Sequence, residues 1–451
     1  MSGGVAAGGG AAEALPAPPD LLAGRRILLG VAGSIAAYKA VAIASRLVQA
    51  GALVDVVLTA AAARLVTPLA FRAVTHRPVS ADLWDPQGAL AMDHVALARA
   101  AEAFVVAPAT ADVLARLALG LADDALTTTA LAVRAPLLLA PAMEPRMWDH
   151  PATAGHVATL VARGASVVGP MAGRMASGES GLGRLAEPDE VVERLRCVLA
   201  QSVGGALTGR RIVVAAGPTR EPIDPVRYLS NHSSGRMGLE LARLARDRGA
   251  DVTLILGAVE ATAPDGVERV DAPTAAAMHE AVMAHAAGAD AVIMAAAIAD
   301  FRPAPVATSK IKKGAGAART LSLEPTLDVL AELGARYAGR ADRPFLVGFA
   351  AETDDLVANA RAKLSGKGVD LVVANPVPES FGGARSTATL VDADGEQALG
   401  PADKRAVAGA ILDRVAAARD AGAAGAAPFT DRKSTRLNSS HEVPSRMPSS
   451  A

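Results

Sequence analysis

The chain is 451 residues long, 51% hydrophobic and only 3% aromatic, with 45 Lys plus Arg against 46 Asp plus Glu and one cysteine, Cys197. At about 150 residues per domain, this length predicts two or three domains whose cores are built from Ala, Val and Leu. The near-neutral charge speaks against a broad basic face for nucleic acid, and one cysteine excludes intrachain disulfides and a cysteine-based zinc site. No uncharged apolar run reaches the roughly 18 residues of a membrane helix, and no basic-then-apolar leader opens the chain, so a cytoplasmic protein is expected.

Residues 1–20 are Ala, Gly and Pro with few large apolar side chains, which predicts a disordered tail. A first domain is expected over 21–200. Ile27-Leu28-Leu29-Gly30-Val31-Ala32 reads as a buried strand, Gly33-Ser34-Ile35-Ala36-Ala37 as a turn into a helix reaching about Ala50, and 54–58 as the next strand. Further apolar strands follow at 104–107, 137–140 and 167–169, with helical stretches between them. This alternation implies a parallel sheet with helices on both faces. The glycine turn alone suggests a dinucleotide only weakly. The second strand ends in Thr59-Ala60-Ala61-Ala62, without an acid to hold a ribose hydroxyl, and a hydroxyl there suits a phosphate, which favours flavin mononucleotide (FMN) over NAD. The loop over 169–184 has the Gly, Ser and Met content of a mobile flap. Cys197 lies in an amphipathic run and is expected as a buried small apolar residue.

The small, glycine-bearing stretch 201–209 marks a linker, and a second domain is expected over 210–420. Its first strand, 212–215, runs into Gly217-Pro218-Thr219-Arg220-Glu221-Pro222-Ile223-Asp224-Pro225-Val226-Arg227-Tyr228-Leu229-Ser230-Asn231-His232-Ser233-Ser234-Gly235-Arg236-Met237-Gly238 and then a helical stretch. Loops at the carboxyl ends of parallel strands are where open α/β sheets bind ligands. The backbone N–H groups of 233–238 would open the helix and could hold a phosphate, with Arg236 adding charge. Strands are expected at 252–255, 291–294, 345–347 and 371–373, again a doubly wound sheet. The third leads into Ala295-Ala296-Ala297-Ile298-Ala299-Asp300-Phe301, whose small residues admit a ligand and whose Asp300 could bind Mg²⁺ or a nucleotide hydroxyl. Ser309-Lys310-Ile311-Lys312-Lys313-Gly314 standing alone is a solvated charge run, but between Asp300 and Gly348-Phe349-Ala350-Ala351-Glu352-Thr353 it reads as a cationic arm over a triphosphate. Residues 421–451 form another low-complexity tail. From Asp431-Arg432-Lys433-Ser434 onward the style breaks and resembles translated sequencing-adapter read-through, so neither fold nor function is expected there.

The stretch 217–238 closely resembles the ligase half of the bifunctional phosphopantothenoylcysteine decarboxylase/phosphopantothenate–cysteine ligase family of coenzyme A biosynthesis. Four segments of the first domain resemble the family's flavin-dependent cysteine decarboxylase half: Met92-Asp93-His94-Val95-Ala96-Leu97, Ala107-Pro108-Ala109-Thr110-Ala111-Asp112, 118–124 and Pro141-Ala142-Met143-Glu144-Pro145-Arg146-Met147-Trp148. The resemblance implies an FMN site lined by Gly33, Ser34, Ile35, Thr59, Phe71, Ala109, Thr110 and Met143, with Ser34 and Thr59 bonding the phosphate and His94 as catalytic base. It implies a CTP site at Ala295, Ala296, Asp300, Lys310, Leu327, Asp328, Val329, Leu330, Phe349, Lys363 and Lys367, with Mg²⁺ at Asp300. Phosphopantothenate would meet Asn231, Ser234, Gly235 and Arg236, and Asn231 would serve the acyl-cytidylate step. There are departures. Glu144 stands where the family usually has an Asn that bonds the substrate carboxylate; an ionised Glu would repel that group unless protonated or paired, for which Arg146 is near. Ser177 stands in the flap where the family commonly has a proton-donating Cys, and Glu179 is a second candidate donor. Arg236 replaces a frequent Lys, keeping charge with different hydrogen-bond geometry.

By this resemblance, two Rossmann-like domains catalyse consecutive steps. CTP would activate the carboxylate of 4′-phosphopantothenate, cysteine's amine would displace CMP, and flavin-assisted loss of CO₂ would give 4′-phosphopantetheine. The family implies a homo-oligomer of trimeric decarboxylase and dimeric ligase units, up to a dodecamer, with no nucleic acid or membrane partner. Two other readings stand beside this one: a working ligase fused to a decarboxylase impaired at Glu144 and Ser177, and a non-catalytic flavin-binding regulator. An NAD-dependent oxidoreductase is disfavoured by Thr59.

Overall fold

A computed structural model describes residues 15–83, 94–312, 320–376 and 385–424. The first half is built on β1 (Arg26–Val31), β2 (Leu53–Leu58), β3 (Val79–Ser80), β4 (Ala103–Ala109), β5 (Leu137–Pro141) and β6 (Ser166–Val167), all parallel, in the order β3-β2-β1-β4-β5-β6. Apolar runs make these strands because both faces are covered. Ile27, Leu29 and Val31 enter one core, while Leu28 enters the other with Phe104 and Val106. The crossovers leave in opposite directions on either side of β1 and β4, so a crevice opens where the carboxyl ends of these two strands part. The flap is an antiparallel hairpin, β7 (Met171–Arg174) with β8 (Ser180–Arg184).

After β9 (Arg211–Ala216), the polar loop is not irregular throughout: it folds an antiparallel ribbon of β10 (Arg220–Pro222) and β11 (Tyr228–Ser230). Then come β12 (Asp251–Leu256), β13 (Glu268–Asp271), β14 (Ala291–Met294), a second ribbon of β15 (Phe301–Pro303) and β16 (Leu323–Pro325), β17 (Phe345–Glu352), β18 (Leu371–Pro376), β19 (Arg385–Asp392) and β20 (Glu396–Asp403). The large sheet runs β13-β12-β9-β14-β17-β18-β19-β20. It is parallel from β13 to β18 and ends in an antiparallel extension, β19 and β20, so it is mixed rather than uniformly parallel. Ile212, Val214 and Ala216 face one core, Val213 and Ala215 the other. The switch point lies between β9 and β14.

The halves meet through the helix Pro188–Val203, which carries on beyond residue 200 into the expected linker, and the helix Arg236–Asp247. Arg246, almost fully buried, donates to Glu193 at 2.6 Å and pairs with Asp247. Cys197 is buried, as expected, and its burial raises the thiol pKa. Of the expected N-terminal tail, 15–20 are held: Asp20 pairs with Arg196 at 2.8 Å, and Arg405 donates to the carbonyls of Pro18 and Pro19. These residues escape the tail because the junction's arginines need acceptors. The C-terminal tail begins later than expected, since the helix Lys404–Ala424 runs through 421–424. Residues 1–14 and 425–451 lie outside the described residues. Among the described residues no helix is long and apolar enough to cross a membrane.

Candidate functional site

The first crevice gathers residues from the carboxyl ends of β1, β2, β4 and β5. Gly33 has no room for a side chain: a Cβ would lie 2.4 Å from that of Ala61. Ser34 Oγ accepts from the Ala36 N–H at 3.3 Å, and Thr59 Oγ1 caps the helix Ala60–Leu65 by accepting from the Ala62 N–H at 3.1 Å. Thr110, after Ala109, caps the helix Ala111–Leu119 in the same way. With lone pairs engaged, the hydroxyl protons are left to donate, which is what a phosphate dianion needs. A cavity of about 330 Å³ joins Ser34, Ile35, Met143 and Glu144 to the flap residues Arg174, Ser177 and Arg184. The donor set fits a phosphate, and exposed Ile35 with Met143 offers an apolar wall for a flavin ring.

Of the expected flavin residues only Ser34, Ile35 and Met143 line this cavity; Gly33, Thr59, Phe71, Ala109 and Thr110 do not. Phe71 has no exposed surface and packs in the core with Val56 and Leu58. His94 is the first residue of the helix His94–Ala100 and is not among the cavity's lining residues; its neighbours Met92 and Asp93 lie outside the described residues. Glu144 is not paired with the Arg146 guanidinium. Its Oε2 accepts from the Arg146 backbone N–H at 2.8 Å, capping the short helix that begins at Pro145, while the guanidinium lies 3.5 Å from Glu179. Glu144 Oε1 is buried without a hydrogen-bond partner. Ser177 is exposed in the hairpin turn, and Glu179 is also exposed. Sequence reasoning missed Lys39, which lines the cavity and pairs with Glu187 at 2.7 Å.

The second crevice is stitched across the switch point by the loops after β9 and β14. Fully buried Thr219 accepts from the Ala299 N–H at 3.0 Å, and Ser230 Oγ donates to the Thr219 carbonyl at 2.6 Å. Asn231 Nδ2 donates to the carbonyls of Ala297 and Ile298 at 3.3 and 3.0 Å. Only the amide nitrogen can serve two carbonyls, so the Asn231 oxygen is the end left to a ligand. Gly217 and Gly235 both adopt positive φ, +82° and +70°, and a Cβ on Gly238 would overlap that of Ala216 at 2.3 Å. The loop thus lies flat on β9 and presents exposed Ser234 and Arg236 at the start of the next helix.

The residues expected to meet the nucleotide divide by surface. Ala295 and Ala296 follow β14, and Asp300 is exposed beyond them. Lys363, pulled down in pKa by burial and by Lys367 but lifted by Glu352, Asp328 and Asp300, donates to the Phe349 carbonyl at 2.6 Å. Asp328 caps the helix Val329–Tyr337 through the Ala331 N–H and pairs with Lys367. Burial lifts the Asp328 carboxyl, but Lys367, that N–H and Lys363 outweigh it and hold it low. Lys363, Lys367, Asp300, Asp328 and Phe349 therefore share one rim. Leu327 is exposed, but the side chains of Val329 and Leu330 are in the core, so only their backbone can face a ligand. Lys310 and Lys312 are exposed; Lys313 lies outside the described residues. Among the described residues no three His, Cys, Asp or Glu side chains gather as a metal site. A lone Asp300 still suits Mg²⁺, which keeps waters and substrate phosphates as its other ligands.

Comparisons with known proteins agree with this division. A family model described as "Flavoprotein" matches residues 17–199, and one described as "DNA/pantothenate metabolism flavoprotein C-terminal domain" matches 207–418. The chain is 44% identical over 398 residues to the coenzyme A biosynthesis bifunctional protein CoaBC of Vibrio parahaemolyticus, covering 87% of this chain and 98% of that one. It is 45% identical over 403 residues to CoaBC of Mycobacterium tuberculosis, covering 87% and 96%. A crystal structure of the C-terminal domain of a CoaBC protein is 36% identical, with a TM-score of 0.42 over 48% of this chain and 100% of that one.

Proposed function

We infer the function from a premise: the chain belongs to the family of coenzyme A biosynthesis bifunctional proteins, CoaBC. Its second half is a ligase and its first half a flavin-dependent decarboxylase, acting on one substrate in turn. We propose that the ligase takes 4′-phosphopantothenate, CTP and cysteine. The carboxylate attacks the α-phosphorus of CTP, pyrophosphate leaves, and the acyl-cytidylate gains a good leaving group. Cysteine's amine then forms the amide and CMP departs. Lys310, Lys363 and Lys367 offset phosphate charge as it shifts, and Asp300 would hold Mg²⁺. Asn231 orients the acyl group through its outward oxygen, and Ser234, Gly235 and Arg236 hold the substrate phosphate. The observation that carries this reading is the binding of the Asn231 amide to the loop that leads to Asp300, which sets the acyl-activating residue beside the nucleotide rim.

In the first half, Ser34 and Thr59 would hold the FMN phosphate, with Gly33, Ile35, Ala109, Thr110 and Met143 around the ring. Bound FMN supplies a reversible two-electron oxidation that makes the substrate carboxylate a leaving group. His94 removes the thiol proton, and Ser177 or Glu179 in the hairpin returns a proton to the product, 4′-phosphopantetheine. The exposed apolar residues Ile35, Tyr38, Leu65 and Leu69 support a homo-oligomer, and a cytoplasmic enzyme of two domains, expected over 21–200 and 210–420, belongs to the same reading.

Incubation with 4′-phosphopantothenate, cysteine, CTP and Mg²⁺, followed by mass analysis, tests this. CMP, CO₂ and 4′-phosphopantetheine are expected; absence of CMP overturns the reading. A second reading, a slow decarboxylase beside a normal ligase, is favoured by one observation. Glu144, whose Oε1 is buried without a hydrogen-bond partner, lines the cavity with acceptors where a substrate carboxylate needs a donor. Accumulation of 4′-phosphopantothenoylcysteine would select it.

A further inference from the structure

We propose that Asp224 is a positioning residue that seats the Lys310–Lys312 arm over the nucleotide phosphates, acting through the backbone of Ile311. The assignment rests on the CTP-dependent reading above and gives one of its parts a mechanism.

Asp224 lies in the turn of the β10–β11 ribbon and is 3% exposed. Its Oδ1 accepts from the backbone N–H groups of Val226 and Arg227 at 2.8 and 2.9 Å. Its Oδ2 accepts from the Arg227 guanidinium and, across 87 residues of sequence, from the Ile311 N–H at 3.1 Å. Arg227 Nη2 completes the clip by donating to the Ile311 carbonyl at 2.9 Å. Both backbone polar groups of the residue between Lys310 and Lys312 are therefore held by one ion pair. A second tether, Ala307 N–H to the Ile223 carbonyl at 3.0 Å, docks the start of the arm on the same turn.

The ribbon that bears the clip is itself fixed. Buried Glu221 accepts from the Ala275 N–H at 2.8 Å, and Ser230 is bonded to Thr219. Asn231 follows β11 directly, so a ribbon of three residue pairs, roughly 10 Å long, connects the acyl-activating residue at one end to the lysine arm at the other. Because Arg227 already neutralises Asp224, the carboxylate holds the arm without drawing the lysines to itself. Among the described residues neither Lys310 nor Lys312 has an acidic partner, so both remain available to phosphate. The Arg227 hydrogen bond, with those from Val226, Ile311 and the Arg227 backbone, keeps the Asp224 carboxyl below the range of ordinary carboxylates. The clip is thus charged at any working pH.

The test uses the full chain and the variant Asp224→Asn, whose Nδ2 would set a donor against the donors of Ile311 or Arg227. The KM for CTP is expected to rise about tenfold, the size of one lost charge-assisted contact, with kcat changed by less than about threefold. Trypsin under native conditions, read by the mass of peptides ending at Lys310 and Lys312, is expected to cut the variant about tenfold faster, because local opening governs cleavage. A wild-type far-ultraviolet circular dichroism spectrum, with a cooperative urea transition of the second half, reports that the half bearing Asp224 is folded. Should Asp224→Asn not fold, Ile311→Pro deletes the clipped N–H from an exposed arm and should raise the KM for CTP and the cleavage after Lys312. A wild-type KM and wild-type cleavage in either folded variant overturn the clip, as does a fall in kcat alone. If the unaltered chain forms no CMP, the ligase reading fails instead, and the trypsin comparison still decides whether Asp224 holds the arm.

Discussion

Gly33→Ala should strip the first half of its flavin without touching the second. An alanine methyl at 33 would sit 2.4 Å from the Ala61 methyl and 3.1 Å from its carbonyl carbon. Carbon atoms rest at about 3.5–4.0 Å, so something must move by roughly 1.2 Å. The Ala61 side is the less able to yield. Its helix is capped by Thr59, whose own N–H is bonded to the Val31 carbonyl at 3.0 Å. The turn bearing Ser34 therefore gives way. A displacement of about 1 Å takes a phosphate hydrogen bond from roughly 2.8 Å to beyond bonding distance. Overpacking costs about 1–3 kcal/mol in both free and loaded protein. The flavin feels mainly the lost bonds to a charged phosphate, about 1.5–3 kcal/mol, so its affinity should fall about 10- to 100-fold. Equilibrium dialysis against FMN measures this directly, with CTP-dependent CMP release as the control for an intact second half. Wild-type FMN affinity in Gly33→Ala would refute both the close packing at Ala61 and the placing of the phosphate at Ser34.

Three further outcomes are expected. His94→Asn should lower CO₂ release from supplied 4′-phosphopantothenoylcysteine by about 100-fold or more, the usual worth of a positioned base, while CMP formation stays at wild type. Asn231→Ala should do the reverse, and loss of both activities from either change would contradict independent sites. At the domain junction, burial pushes the Glu193 and Asp20 carboxyls up, but Arg246, Arg243 and Arg196 outweigh it at Glu193, as Arg196, the Leu22 N–H and Arg405 do at Asp20. Both are thus held below their ordinary values. Their contribution is present above the unfolded carboxylate range, about pH 4, and is lost as pH falls through the lower folded values. Urea midpoints should drop through that acid window, and Glu193→Gln should flatten the drop; an identical slope in the variant would remove Glu193 from the account.

The strands with apolar runs could be read from the sequence because strands covered on both faces need short unbroken apolar runs, and their length and flanking turn residues set them apart from helices: β1, β4, β5, β9, β14 and β18 all carry such runs. The two-residue strand β3 and the ribbon strands β10 and β11 carry none, so nothing in their composition separates them from loop; β6, expected at 167–169, overlaps that run and starts one residue earlier, at Ser166–Val167. β19 and β20 were missed for a different reason. Their partly polar sequences, Arg385–Asp392 and Glu396–Asp403, make an antiparallel edge in a chain whose every earlier signal was parallel.

At the sites, composition marked the loops but not their joins. Asn231 meets Ala297 and Ile298 across 66 and 67 residues, and Asp224 meets Ile311 across 87. No local pattern specifies such a pairing. Glu144 is the instructive case, because there the local pattern is present, yet the sequence suggests protonation or a side-chain pairing with Arg146 instead of a cap. Proline at 145 presets the first helical residue, which makes the residue before it a cap. A backbone N–H two residues on is already in place, whereas a guanidinium must give up rotamer freedom to reach the same oxygen. The fixed donor takes Oε2, and the arginine goes to Glu179. The same reasoning explains Thr59, Thr110 and Asp328: each caps a helix by accepting from a backbone N–H three residues on. The helix starts that the sequence marks for folding thus also fix the side chains proposed to meet the ligand.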